Sequence, residues 1–156
     1  MTRSKLHSLT IGPHHYEVNI ARDTPSRISG LRGPLQGSVA LLLRFPFPFR
    51  WGIWMRGIHH AIDIVWIIEQ RVVGITHRPR PSSWYDRFHI SFPPQLVDTV
   101  LEIPGSPSQR LGDCLLRDVV EQWLREEKFS AKKEKANTCP QLADMLASPG
   151  SSDDFR

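Results

Sequence analysis

The chain has 156 residues, enough for one domain with a tail and too few for two cores of ordinary size. Its hydrophobic fraction of 40% and charged fraction of 23% are those of a globular protein, and no apolar run approaches the roughly eighteen residues of a membrane span. The net charge of +4 is scattered as single arginines, which disfavours a nucleic-acid footprint, and Cys114 and Cys139 are too few for a disulfide scaffold or a four-thiolate zinc site.

Thirteen prolines favour short strands and rigid turns. Leu9 and Ile11, then Tyr16, Val18 and Ile20, alternate with polar residues around Gly12-Pro13-His14-His15, which predicts a hairpin with a polar tip. The same stretch is too interrupted to be a signal-peptide core, so a cytoplasmic protein is expected. Thr24-Pro25-Ser26 offers an N-cap threonine with proline at the first helical position. Ile28 and Leu31 give the resulting short helix one buried side, and Gly30 and Gly33-Pro34 end it. Val39 to Phe45 is a strand-length apolar run, whereas Pro46-Phe47-Pro48-Phe49 lacks two backbone donors and predicts a sheet-edge loop. Strands over 53–56, 62–68 and 71–77 follow, the last two joined across Glu69-Gln70. Beyond the Arg78-Pro79-Arg80-Pro81 break, extended segments over 88–92 and 97–103 resume the sheet.

After Pro104-Gly105, Ser106 to Leu111 has room for one helical turn. The period then changes. Leu115, Leu116, Val119, Val120, Trp123 and Leu124 form one stripe at helical spacing, predicting an amphipathic helix over 114–128. Its apolar face is docked on the domain or, alternatively, is a protein-contact surface. Residues 129–156, with Lys132-Lys133-Glu134-Lys135 and a Ser-Pro-Gly-Ser-Ser stretch, have little to bury and read as a disordered tail to a single domain over 1–128. The predicted fold class is mainly β within α+β: a meander with short helices and a C-terminal amphipathic helix.

Strand phase makes Asp63 informative. Ile62, Ile64, Trp66 and Ile68 lie on one face, and Asp63 shares the other with Val65 and Ile67, so the carboxylate is desolvated on either side. A buried carboxylate must find a cation or take up a proton, and Arg56 and Arg27 are the candidates. A structural ion pair is favoured over a catalytic acid or a ligand-binding group. Trp54 could line an apolar pocket with Arg56 fixing an anion, and alternation puts these two on one face with Met55 on the other. His59-His60-Ala61-Ile62-Asp63 is a poor metal motif because adjacent histidines on an extended segment point apart, so no metal or cofactor is expected. Glu102, between Leu101 and Ile103, repeats the buried-carboxylate theme and could act with Asp63 as an acid and base pair.

Taken in order, Thr24-Pro25, Arg27, Gly30-Leu31, then Trp54-Met55-Arg56, Ile62-Asp63-Ile64, Val72-Val73, Val100-Leu101-Glu102 and Gly112-Asp113 resemble the DUF192 family over roughly 18–115. The resemblance implies a compact, mostly β, barrel-like domain of bacteria and archaea, often exported, without an established molecular function. The family's Trp-Met-Lys-Asn-Thr stretch stands here as Trp54-Met55-Arg56-Gly57-Ile58, which keeps the cation and loses the amide and hydroxyl. The leading expectation is a non-catalytic domain that binds a small, anionic ligand or a protein partner near Arg27, Trp54, Arg56 and Asp63. The alternative is an enzyme using Asp63 and Glu102.

Overall fold

The computed structural model describes residues 7–21 and 39–137. The chain forms two compact units, Met1–Trp123 and Leu124–Arg156, and the sheet and every candidate site lie in the first. Strands β1 (His7–Ile11) and β2 (His14–Ala21) make the expected antiparallel hairpin, with Leu9, Ile11, Tyr16 and Val18 buried. The turn is only Gly12-Pro13, so His14 and His15 begin β2 instead of capping the hairpin. The short helix predicted over Thr24 to Gly33 lies outside the described residues, and Arg27 with it.

Strand β3 (Val39–Phe49) pairs parallel with β2 and continues through both prolines, where a loop was predicted. Its ladder with β8 (Val97–Pro104) lapses between Arg44, opposite Thr99, and Phe49, opposite Val97. Pro46 and Pro48, which have no N–H to give, fall inside that lapse. Strands β5 (Ile62–Ile68) and β6 (Arg71–Arg78) form the second hairpin, and the sheet order is β1-β2-β3-β8-β5-β6. This corrects the expected meander: the last strand inserts between β3 and β5. Val100, Leu101 and Ile103 are buried on both faces of β8, the pattern of a central strand. The segment over 88–92 does not join this sheet. Ile90–Ser91 (β7) pairs instead with Ile53–Trp54 (β4) in a separate two-stranded ribbon.

The expected barrel is also corrected, because the sheet stays open between β1 and β6. Helix α1 (Pro107–Leu111) leads into α2 (Asp113–Asn137), whose Leu116, Val120 and Trp123 are buried at i, i+4 and i+7. Trp123 Nε1 donates to the Ser8 carbonyl of β1 at 3.0 Å, and Glu121 Oε1 accepts from Val72 N–H of β6 at 2.9 Å. Those helix residues rise only about 3 Å from one another, whereas the edges of a flat six-stranded sheet lie about 24 Å apart. The sheet must therefore curl strongly, and α2 ties its two open edges together where a barrel would have closed them by strand pairing. The helix runs nine residues past its predicted end at 128, through Ala131 to Ala136, which are strong helix formers that need no buried face.

Cross-strand partners share a face, so register separates two layers. Leu41, Leu43, Ile62, Ile64, Trp66 and Val100 pack against Ile53, Met55 and Ile58 on the ribbon side. Val65, Ile67, Leu101 and Ile103 occupy the other face with Asp63.

Candidate functional site

Asp63 is fully buried and stands in register with Ile103 of β8 and His77 of β6. His77 Nδ1 lies 2.9 Å from Oδ1, close enough to donate to the carboxylate. Ser108 N–H donates to Oδ2 at 2.6 Å and the Ser108 hydroxyl donates to Oδ1 at 2.8 Å. The local sequence explains the third element. Gly105 and Ser106 adopt positive φ and turn the chain back over the sheet, and Pro107 occupies the first helical position without a donor. Ser108 therefore carries the first available N–H of α1, and it meets the carboxylate directly.

Beside this cluster, Tyr16 OH donates to the Pro104 carbonyl at 3.3 Å. Burial pushes the Tyr16 hydroxyl above the usual phenol range; the charge and hydrogen bond of Arg110 pull it back, and the Asp63 charge adds to the rise. In chemical terms the carboxylate sits at the centre and both neighbours point at it. Ser108 donates to Asp63 and not to a histidine base, so its hydroxyl is not activated as a nucleophile. The arrangement is a clasp that joins α1 to β5 and β6. The expected clasp is to Arg56 or Arg27: among the described residues the partners of Asp63 are instead His77 and Ser108, Arg56 is at the surface, and Arg27 lies outside the described residues.

Trp54 and Arg56 belong to a different place. On the ribbon, Ile53 and Ser91 are paired and turned inward, which leaves the paired Trp54 and Ile90 outward at 46% and 43% exposed. Met55 is buried, and Arg56 returns to the outer side with its guanidinium carbon 5.4 Å from the Trp54 ring centroid. Gly52 is needed beside them, since a Cβ there would come within 2.7 Å of Ile90 Cγ2 and 2.9 Å of Phe92 Cε1. The ribbon thus presents an apolar, cation-bearing outer face.

A family model, DUF192, described as an uncharacterized ACR, matches residues 7–112. The chain belongs to the DUF192 family. Two solved structures share the fold of this DUF192 domain. One is a Sinorhizobium meliloti 1021 protein provisionally described as a transcription regulator, 23% identical, with a TM-score of 0.55 over 67% of this chain and 83% of that one. The other is a protein of unknown function from Novosphingobium aromaticivorans DSM 12444, 22% identical, with a TM-score of 0.56 over 68% of this chain and 76% of that one. A search of the curated proteins finds no significant relative.

The DUF192 domain does not bring its two candidate catalytic carboxylates together. Glu102 is buried like Asp63, but it pairs with Ile64 and Leu41, which face the ribbon, whereas Asp63 pairs with Ile103 on the opposite face. One substrate cannot reach both. Among the described residues, no group of three histidine, cysteine or acidic side chains is placed to hold a metal ion. His60 is held below the usual imidazole range by burial, with the charge of His59 adding to the effect, and its Nε2 is buried without a hydrogen-bond partner. The sequence reading missed the outward residues Ile90 and Phe92. The alternation Phe88, Ile90, Phe92 carried that signal, without saying which side faces solvent.

Proposed function

We propose that this DUF192 domain is a non-catalytic binding module whose recognition surface is the outer face of the β4–β7 ribbon. Arg56 supplies the contact for an anion and Trp54, with Ile90 beside it, supplies the apolar contact. The observation that carries this reading is the Arg56 guanidinium held over an exposed Trp54 ring. Asp63 is assigned to the scaffold, since it is fully buried and hydrogen-bonded at both oxygens. The enzyme alternative gains no support from carboxylates on opposite faces of a sheet.

Anilinonaphthalene sulfonate, an aromatic anion, is a suitable probe. The native protein is expected to bind it saturably, and a Trp54→Ala/Arg56→Gln double variant to bind it about 25-fold more weakly, about fivefold for each contact. The urea midpoint should not change. Undiminished binding by the double variant would overturn the proposal.

A further inference from the structure

The outer face of the ribbon is one part of a larger apolar surface. Among the described residues, Phe47, Phe49, Trp84, Tyr85, Phe88 and Phe92 are each 53–68% exposed, and Leu115 is the one large exposed hydrophobic outside the segments over 47–54 and 84–96. Scattered exposed hydrophobics are ordinary, but a contiguous group is not. Continuity comes from three contacts. Gly52 lies against Ile90 and Phe92, Arg50 Nη2 donates to the Pro93 carbonyl at 3.2 Å, and Met55 N–H donates to the His89 carbonyl at 3.1 Å. Arg50 and Arg56 are exposed on these segments, and over residues 44–56 and 78–96 the sequence carries Arg44, Arg50, Arg56, Arg78, Arg80 and Arg87 against Asp86 alone.

The geometry points to an anionic lipid bilayer as the partner of this face, a reading that rests on the binding role proposed for the ribbon. Aromatic side chains inserted at the headgroup boundary, with arginines reaching lipid phosphates, are what such a surface selects. Phe45 and Trp51 stack on each other at 4.6 Å and 7°, Trp84 lies 3.6 Å from Tyr85, and Arg56 covers Trp54, so one face of each of these rings is already occupied within the chain and is closed to a base. A single-stranded nucleic acid needs open ring faces. Trp51 Nε1 donates to the Phe47 carbonyl at 3.1 Å, which spares that indole N–H an unmet bond in an apolar layer. A protein partner would be expected to meet a rim of mixed charge. No helix among the described residues is long and apolar enough to cross a membrane, and the proposed contact is peripheral.

Sedimentation with vesicles tests this, using equal parts phosphatidylcholine and phosphatidylglycerol against phosphatidylcholine alone. The full chain is expected to sediment with the anionic vesicles, at least tenfold more weakly with the neutral ones, and less well as salt is raised. Arg50→Gln/Arg56→Gln should weaken binding about 25-fold, at about fivefold per arginine. Phe47→Ser/Phe92→Ser should abolish the blue shift of tryptophan emission on binding, with the urea midpoint unchanged because both rings are more than half exposed. Equal binding to both vesicle types, binding to neither, or unaffected variants would overturn the inference. Preference for a single-stranded oligonucleotide over the anionic vesicles would overturn it in favour of nucleic acid. If sulfonate binding still depends on Trp54 and Arg56 while vesicles are not bound, the lipid inference fails and the ribbon reading stands. If sulfonate binding does not depend on them, the ribbon reading fails as well.

Discussion

Replacing Asp63 by alanine removes the acceptor of three hydrogen bonds at a position with no solvent access. Ser108 N–H and the Ser108 hydroxyl lose a buried acceptor, and His77, one-quarter exposed, can turn partly to water. Bonds to a charged acceptor are worth about 1.5–3 kcal/mol each, but their losses overlap; breaking a buried polar pair costs about 3–5 kcal/mol, so we expect about 4 kcal/mol here. That is a large fraction of the roughly 5–15 kcal/mol available to a domain and corresponds to a fall in Tm on the order of 10 °C. Urea denaturation followed by tryptophan fluorescence measures it, with the m-value expected to hold. Two companions calibrate the result. Ser108→Ala removes only the hydroxyl bond and should cost about 1–2 kcal/mol. Asp63→Asn should fall between, at about 2 kcal/mol, because one amide orientation keeps the Ser108 N–H bond and offers its own N–H to the serine hydroxyl. A loss below about 1 kcal/mol for Asp63→Ala would refute the reasoning, because no buried clasp could be surrendered so cheaply.

The remaining expectations concern other joints of the fold. Because His60 is held below its ordinary value, the native state binds fewer protons than the unfolded state between that lowered value and about pH 6.5, so stability should fall as pH drops through this window. His60→Gln should flatten that slope in urea titrations, and an unchanged slope would count against the assignment. Gly74→Ala should destabilise by about 1–2 kcal/mol, since its Cβ would meet the Pro94 ring at 3.0 Å and Trp66 Cδ1 at 3.4 Å. Gly52→Ala, whose Cβ would come within 2.7 Å of the Ile90 Cγ2 branch methyl and 2.9 Å of the Phe92 ring, should likewise cost about 1–2 kcal/mol and weaken sulfonate binding. Glu121→Ala should cost about 1 kcal/mol by leaving the part-buried Val72 N–H without its acceptor, and Glu121→Gln much less, because the amide oxygen still accepts; equal costs would contradict the edge-tying role of α2.

The alternation from Ile62 to Ile68 made the burial of Asp63 legible, because both strand faces are apolar and no solvent side is left for it. Its partners were not legible. The position of His77 opposite Asp63 depends on a turn in which Glu69 and Gln70 both adopt positive φ, and on a bulge between Trp66 and Ile67 that shifts the register. Ser108 reaches the carboxylate only because Gly105 and Ser106 reverse the chain, a turn that a serine does not announce. The place of β8 was hidden for another reason: apolar residues on both its faces mark a buried strand without naming its neighbours. Glu102 looked like a companion of Asp63 until pairing to Ile64 put it on the other face, and a shift of one residue would have put it on the same face. The exposed phenylalanines were hardest to place, since a pattern of apolar residues does not distinguish a core from a docking surface. By contrast, the family was legible in the order of its motifs, and the family match extends from residue 7 to 112.

An amide chemical-shift map of the isotope-labelled chain, titrated with anilinonaphthalene sulfonate, tests the central claim most directly. The account predicts shifts centred on Trp54, Arg56, Ile90 and Phe92, with the amides of Asp63, His77 and Ser108 unmoved at saturation. Shifts centred on Asp63, His77 and Ser108, with a silent ribbon, would contradict it and make the clasp the site.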